Sequence, residues 1–177
     1  LVTAARDAGV QLINSAQVVE CKDHQLITAD NRCFEADVII GADGVKSAVR
    51  QRFGADTPYF TGHVAWRAMV PVDSAIAELA DYPGIHIGEG RMVTRYQVRG
   101  GTYLNLVFFA RQSGWDQEGW TLPSDPADLA ATYDGWCDDV QTLIAAASKV
   151  PLFKWAINAR QPLKSWVEAD HITLLGD

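Results

Sequence analysis

The sequence predicts an α/β protein in which part of a parallel-sheet domain surrounds a second domain, an antiparallel or mixed sheet with helices. An apolar run at 38–40 passes into Gly-Ala-Asp-Gly at 41–44, and a second, mostly apolar stretch at 171–177 also ends in Gly-Asp. Between them lie a long hairpin pattern at 91–111 and a helical pattern at about 125–147. Runs without polar alternation are typical of parallel strands, whereas a hairpin pairs antiparallel. This order suggests one domain inserted into another.

The expected boundaries follow from these changes of pattern. Residues 1–56 form the first segment of the parallel-sheet domain, residues 57–168 form the inserted domain, and residues 169–177 form a strand that returns to the first. A chain of 177 residues is long enough for one domain or slightly more.

Composition narrows the function classes. The net charge of -7 argues against nucleic-acid binding, because phosphate neutralisation needs a basic face. We expect no membrane span, because no run of about 18 apolar residues occurs. Three cysteines without a Cys-x-x-Cys pair favour a reduced, cytoplasmic compartment. The four histidines are scattered without metal-ligand spacing, so no metal site is expected.

The first part of the chain is predicted to form short elements. A helix end is predicted at 2–8, a strand at 10–15, and then strands separated by polar turns, of which Asp30-Asn31 is the stronger. Residues 38–40 show no polar alternation, so this strand is expected to be covered on both faces.

The inserted domain begins with a strand candidate at 63–72 and continues into the hairpin. Gly100-Gly101 is the natural turn, and it fixes the register of the two hairpin strands. The predicted cross-strand pairs are Val98 with Tyr103, Tyr96 with Asn105, Thr94 with Val107 and Met92 with Phe109.

The helical pattern after the hairpin has its own start signal. Asp125 can cap the helix, and Pro126 suits its first position. Apolar residues from Leu129 to Ala147 follow helical spacing, and Gly135 allows a kink or a break into two helices.

Asp43 and Gly44 belong to the Gly-Ala-Asp-Gly turn that follows the apolar run at 38–40. Ligands of open α/β sheets bind beyond the carboxyl ends of the strands, where glycine permits close backbone approach and an acid accepts hydrogen bonds. A helix opening near Ser47 would favour a phosphate. The same residues are also ordinary turn formers, and spacing alone does not separate these readings.

The stretch ADVIIGADGVKSAVR resembles the Asp-Gly motif of the FAD-dependent aromatic hydroxylases related to para-hydroxybenzoate hydroxylase, with the pattern Asp-Gly-x-x-Ser-x-x-Arg. HITLLGD resembles a second motif of that family, in which a buried strand runs into Gly-Asp. Residues 64–72, 115–120 and 154–163 look most similar to the salicylate and 3-hydroxybenzoate hydroxylase branch. The resemblance covers essentially the whole chain.

The resemblance implies an NAD(P)H-dependent flavoprotein monooxygenase. Such an enzyme takes electrons from NADH or NADPH, forms a flavin C4a-hydroperoxide with O2, and hydroxylates a small phenolic or carboxylated aromatic substrate. By the family's pattern, Gly176 and Asp177 would lie near the FAD ribitol, and Asp43, Gly44 and Arg50 near the pyrophosphate. A homodimer is a further expectation. No catalytic base is indicated.

The chain departs from the family in one motif. The Gly-x-Gly-x-x-Gly start, which binds the ADP part of FAD in the family, is absent; GEGRMV at 88–93 lacks the third glycine and is read as a turn. The chain is therefore expected to resemble the middle of a longer enzyme and to hold few FAD contacts.

Arg67, Tyr96 and Asn105 are the candidate substrate residues. Arg67 is a charged residue within an apolar strand. It either binds a carboxylate or phosphate group of a ligand or pairs with an acidic side chain of the protein. Tyr96 and Asn105 face each other in the predicted hairpin. They either contact a substrate or are solvated or structural residues.

Two alternatives to hydroxylation stay open. A related flavoprotein of another reaction class, a reductase or a halogenase, would share the same motifs, although no Trp-x-Trp-x-Ile stretch typical of halogenases is present. The third hypothesis is a cofactor-free fragment without activity of its own.

Overall fold

The computed structural model describes residues 1–54, 56–115, 117 and 119–176. The chain divides into two compact units, and each is described by itself. The first unit comprises residues 1–58 and 160–177, and the second comprises residues 59–159.

The strands, in chain order, are β1 Val18–Lys22, β2 Gln25–Thr28, β3 Cys33–Glu35, β4 Ile39–Gly41, β5 Tyr59–Pro71, β6 Gly84–Gly88, β7 Arg91–Val98, β8 Tyr103–Arg111, β9 Leu122–Pro123, β10 Phe153–Ala159, β11 Val167–Glu168 and β12 Ile172–Leu174. The α-helices are α1 Val2–Asp7, α2 Ala77–Ala80, α3 Pro126–Thr132 and α4 Asp138–Ala147, and a 3-10 helix spans Val49–Phe53. No helix of the described residues is long and apolar enough to cross a membrane.

The first unit contains two small sheets. β1, β2 and β3 pair antiparallel in sequence order. In the other sheet, β12 lies between β11 and β4, and it pairs parallel to β4. The expected mixture of helix with parallel and antiparallel sheet is therefore confirmed.

The strand at 38–40 is not covered on both faces as expected. Ile39 is buried, but Val38 is 56% exposed and Ile40 is 59% exposed. The side chains of a strand alternate between faces, and Ile39 alone points into the small core with Cys21, Val49 and Ile172. An apolar run indicates a strand without showing how many faces are covered.

The strand predicted at 10–15 is also wrong. These residues form no strand, and Val10, Leu12 and Ile13 are exposed. Alternating apolar residues need a neighbouring strand for their backbone hydrogen bonds, and none of the described strands pairs with this segment.

The second unit is a six-stranded sheet in the order β6-β7-β8-β5-β10-β9. Even-numbered residues of β5 and β8, such as Trp66, Leu106 and Phe108, are buried in one core with Leu129, Tyr133 and other residues of the two later helices. Odd-numbered residues of β5 and β8 point to the opposite face, because strand side chains alternate. This second face is named the open face.

The hairpin register is confirmed. Val98 pairs with Tyr103, and the other three predicted pairs also form. The connecting loop is longer than the two-residue turn, because the strands end at Val98 and begin again at Tyr103. Positive φ angles occur at three consecutive residues, Arg99, Gly100 and Gly101. Strand pairing therefore ends one residue before the predicted two-residue turn.

The helical region is broken into α3 and α4, as Gly135 allowed. Asp125 caps α3 by accepting a hydrogen bond from the Ala127 N–H at 2.8 Å, and Pro126 is its first residue. Gly135 has φ +73° between the two helices. Tyr133 at the end of α3 is buried, and its hydroxyl reaches the carbonyls of Met92 and Phe109 at 3.1 and 2.6 Å.

The end of the second unit differs from the end predicted for the inserted domain. The chain leaves the second unit at residue 159 rather than 168. Arg160 and Gln161 bond to Asp56, and β11 pairs with β12, so residues 160–168 pack with the first unit.

Candidate functional site

Two sequence motifs end on neighbouring parallel strands in the first unit. Gly41, the last residue of β4, is in register with Leu174, the last residue of β12. The Leu175 N–H donates to the Gly41 carbonyl at 2.9 Å, which extends the pairing by one step. Segments 42–44 and 175–176 therefore leave the sheet at the same carboxyl edge, where open α/β sheets bind ligands.

The glycines of this edge have different physical roles. A Cβ on Gly41 would come within 2.7 Å of Val49 and 2.8 Å of Leu174, so Gly41 permits close packing behind the loop. Gly44 and Gly176 have φ of +76° and +115°, and a Cβ on either would meet nothing within 4 Å. Their backbone is open to the approach of another molecule.

The Asp43 carboxylate turns back into its own loop. Oδ1 accepts a hydrogen bond from the Ser47 hydroxyl, and Oδ2 accepts from the Ala48 N–H at 2.7 Å and the Val49 N–H at 3.3 Å. The Ser47 hydroxyl in turn accepts from the Arg50 N–H at 2.9 Å. Asp43 and Ser47 thus satisfy the first N–H groups of the 3-10 helix, as capping residues do.

Arg50 is held by an acid that the motif did not indicate. Its Nε donates to Asp56 Oδ1 at 3.2 Å, and Nη2 donates to Asp56 Oδ2 at 3.4 Å and to the Gln161 carbonyl. Only 16% of the Arg50 side chain is exposed. The guanidinium is therefore occupied within the protein.

Arg160 binds the same acid and also reaches the Asp-Gly loop. Its Nη2 donates to Asp56 Oδ1 at 2.8 Å, and Nε donates to Oδ2 at 3.2 Å. Its Nη1 donates to the Val45 carbonyl at 3.0 Å. Hydrogen bonds from Arg160 and Arg50 hold the pKa of the Asp56 carboxyl far below its usual range.

The sequence pattern singled out neither Asp56 nor Arg160. They lie 104 positions apart, and neither belongs to the Asp-Gly or the Gly-Asp motif. The only available signal was an arginine directly after an apolar strand, in the stretch 154–163 that resembled the hydroxylases.

A cavity of about 560 Å³ lies beside this network in the first unit. Arg50, Arg52 and Lys164 contribute to its lining. Arg52 is paired with Glu168 at 2.7 Å.

Gly176 is described and lies two residues after the end of β12, whereas the Asp177 prediction lies outside the described residues. Among the predicted cofactor residues, the structure thus places Asp43 and Gly44 in one loop, Arg50 in the 3-10 helix that follows it, and Gly176 just beyond the neighbouring strand end.

The predicted substrate residues share the open face of the second unit. Tyr96 pairs with Asn105 across β7 and β8, and Asn105 pairs with Met69 across β8 and β5. Arg67 lies two residues from Met69 and therefore on the same face. This face also carries Val107, Phe109 and Ala65.

Arg67 and Asn105 are bonded to each other. Arg67 Nε donates to Asn105 Oδ1 at 2.8 Å, and within the described part of the chain Arg67 has no acidic partner. Asn105 is fully buried, and its Nδ2 has no hydrogen-bond partner among the described residues. A buried donor without a partner is costly, and the hydrogen bond from Arg67 compensates only the amide oxygen of Asn105.

The described residues contain no group of three or more histidine, cysteine or acidic residues placed to hold a metal ion. The three cysteines are free.

Comparison with curated proteins gives consistent relatives. The chain is 34% identical over 151 residues to 3-amino-4-hydroxybenzoate 2-monooxygenase PtnB3 of Streptomyces platensis, covering 84% of this chain and 37% of that protein. It is 34% identical over 183 aligned positions to 6-hydroxynicotinate 3-monooxygenase of Bordetella bronchiseptica, covering 100% of this chain and 47% of that protein. The chain thus spans less than half the length of these relatives. No protein-family profile matches it.

Solved structures agree with these relatives. HpxO of Klebsiella pneumoniae, complexed with FAD and uric acid, matches with a TM-score of 0.76 and 28% identity over 99% of this chain and 45% of its own. A salicylate hydroxylase in complex with substrate matches in fold, with a TM-score of 0.75 and 24% identity over 92% of this chain and 45% of its own. Sequence and fold together identify the chain as a homologue of part of the FAD-dependent aromatic hydroxylases.

Proposed function

We propose that the full-length protein is an FAD-dependent monooxygenase that hydroxylates a small aromatic substrate with NAD(P)H and O2. The observation that carries this proposal is the pairing of β4 with β12. It brings Asp43 and Gly44 of the first motif and Gly176 of the second to one sheet edge, with open glycine backbone after each strand. The names of the relatives, which are monooxygenases of hydroxybenzoates and hydroxynicotinate, support the reaction class.

The strand edge fits a flavin nucleotide. Gly44 and Gly176 leave room for a large ligand to approach the backbone, and Asp43 and Ser47 hold the loop in shape. We infer that Gly44, Gly176 and Asp177 lie against FAD, and that Asp43 and Arg50 support that contact. Bound FAD supplies the electron transfer and the oxygen activation, and the protein supplies placement and exclusion of water.

The open face supplies the substrate contacts in this proposal. Arg67 is exposed, and its Nη1 and Nη2 make no hydrogen bond to a described residue, while Asn105 holds its Nε. The free guanidinium donors match a carboxylate or a phenolate oxygen, because charge-assisted hydrogen bonds to arginine favour anionic planar groups. Tyr96 is 44% exposed beside them and can contact the ring. We therefore propose an aromatic acid or phenol as the substrate.

The test uses the purified full-length protein. We expect yellow flavin absorbance or saturable binding of added FAD, followed by NADH or NADPH oxidation that rises on addition of aromatic acids. The same rings without the carboxylate are the matched comparison for the contribution of Arg67. A full-length protein that stays colourless with added FAD contradicts the proposal. The expected homodimer and cytoplasmic location remain predictions.

A further inference from the structure

We propose that Asp56 and Arg160 are positioning residues that fix the Asp43–Ser47 loop, and through it the affinity for FAD, without contacting the cofactor. This inference rests on the proposed function and assigns a task to two residues outside both motifs. Its basis is the hydrogen-bond network that joins Asp56, Arg160 and Arg50 to the loop.

The Asp56 carboxylate is saturated by partners from two parts of the chain. Oδ1 accepts from Arg160 and Arg50, and Oδ2 accepts from Arg160, Arg50 and the Gln161 N–H at 3.1 Å. Its side chain is 18% exposed and that of Arg160 is 10% exposed. A carboxylate with this many donors has little capacity left for a ligand, which argues for a structural task.

The network holds the loop at two points. Within the loop, Arg160 Nη1 donates to the Val45 carbonyl, one residue after Gly44. At its end, the Arg50 N–H donates to the Ser47 hydroxyl, while the Arg50 side chain is bound to Asp56. Val45 and Ser47 are therefore both tied to one carboxylate, and the adjoining Gly44 is kept in place.

The charge balance explains why both partners are needed. Two guanidinium groups meet one carboxylate, so removal of the carboxylate leaves two cations close together and frees both arginines. Replacement of Arg160 leaves the Arg50–Asp56 pair neutral but removes the bond to Val45.

Arg160→Lys separates positioning from simple ion pairing. Lysine keeps the positive charge, but a single ammonium on a flexible stem does not reproduce the planar fork that binds Asp56 and Val45 together. A purely stabilising ion pair would tolerate this change, whereas loop positioning would not.

A second ion pair in the same unit provides the matched control. Arg52 and Glu168 lie 2.7 Å apart, and both side chains are 32% exposed. Neither makes a hydrogen bond to residues 43–47 in the described structure. Glu168→Gln therefore removes a comparable charge pair without releasing the loop.

The experiment compares Asp56→Asn, Arg160→Lys and Glu168→Gln in the full-length protein. Two quantities are measured at low temperature, where the variants are folded: hydrogen exchange of the amides of residues 47–50 without FAD, and the dissociation constant of FAD. We expect both to rise by roughly tenfold in Asp56→Asn and Arg160→Lys, and to stay within about twofold in Glu168→Gln.

The inference is overturned if Arg160→Lys matches the wild type in both amide exchange and FAD affinity. It is also overturned if Glu168→Gln changes these two quantities as much as Arg160→Lys does. Should Asp56→Asn fail to fold, Arg160→Lys carries the test alone. Absence of FAD binding by the wild-type protein would count against the proposed function instead, because the exchange measurement still tests the loop.

Discussion

Arg160 donates a hydrogen bond to the carbonyl of Val45 at 3.0 Å, across 115 positions of sequence. This bond links the last part of the first unit to the loop of the Asp-Gly motif. It shows that the motif is more than a local turn, because residues from the other end of the chain hold its conformation. The predictions below test separate parts of this arrangement.

Asp43 is expected to act through the loop that it caps. Asp43→Ala removes both carboxylate oxygens and leaves the N–H groups of Ala48 and Val49 and the Ser47 hydroxyl without this acceptor. We expect the free energy of unfolding to fall by about 1 kcal/mol, the usual cost of losing a helix cap. Urea unfolding measures this change.

Asp37→Ala is the matched control for Asp43→Ala. Asp37 is exposed and makes no hydrogen bond or ion pair in the described structure, although it lies in the same stretch. We expect its unfolding midpoint to stay at the wild-type value. Equal midpoints for Asp43→Ala and the wild type would contradict the capping role.

Gly41 and Gly44 are expected to resist alanine for different reasons. Gly44→Ala meets no neighbour but requires φ of +76°, which costs about 1–2 kcal/mol for an L-residue. Gly41→Ala drives a Cβ into Val49 and Leu174, and overpacking of this kind costs about 1–3 kcal/mol. Gly9→Ala is the control for positive φ outside the motif, because Gly9 has φ +82° and open space.

FAD affinity distinguishes a cofactor contact of Gly44 from a loss of stability alone. We expect Gly44→Ala to weaken FAD binding by the full-length protein, and Gly9→Ala to lose a similar amount of stability without a change in FAD affinity. The assay is a fluorescence titration with FAD. Unchanged affinity in Gly44→Ala would remove Gly44 from the cofactor contact.

Asp56 gives a pH dependence with a defined sign. Its pKa is lowered in the folded protein, so its stabilising contribution is complete above the unfolded-state pKa of about 3.9 and is lost as the pH falls towards the folded-state value. The difference in unfolding midpoint between the wild type and Asp56→Asn should therefore be largest at neutral pH and shrink below about pH 4. A difference that stays constant from pH 7 to pH 2 would contradict the ionised network.

Arg67 is expected to set the preference for anionic substrates. Arg67→Met removes the guanidinium and leaves Asn105 Oδ1 without its donor, and we expect KM for a carboxylated substrate to rise by about tenfold or more. The uncharged analogue of the same ring should show a smaller change. Arg99→Lys, in the exposed hairpin loop, is the control and should leave both KM values unchanged. Equal effects of Arg67→Met on both substrates would contradict a carboxylate contact.

The sequence was most informative where the structure depends on neighbours along the chain. The register of Tyr96 with Asn105 followed from turn chemistry and a period of two, and the cap at Asp125 followed from local hydrogen bonding. The two motifs on adjacent strand ends required the resemblance to a known family as well, because spacing alone left Asp43 as an ordinary turn residue.

The remaining features depend on contacts between distant segments. The Asp56–Arg160 pair has no local pattern, since a charged residue does not indicate its partner 104 positions away. The apolar run at 38–40 indicated a strand but not the exposure of Val38 and Ile40, which depends on the layers around the sheet. The side of the sheet on which Arg67 lies depends on the later helices, which cover the even-numbered residues.

Isotope incorporation by the full-length protein tests the central claim most directly. The enzyme is supplied with FAD, NAD(P)H, an aromatic acid and ¹⁸O2, and the product is analysed by mass spectrometry. A flavin monooxygenase places one oxygen atom from O2 in the aromatic product, so we predict a hydroxylated product that carries a single ¹⁸O. Substrate conversion without ¹⁸O in the product, or no conversion by a flavin-loaded protein across a panel of aromatic acids and phenols, would contradict the account.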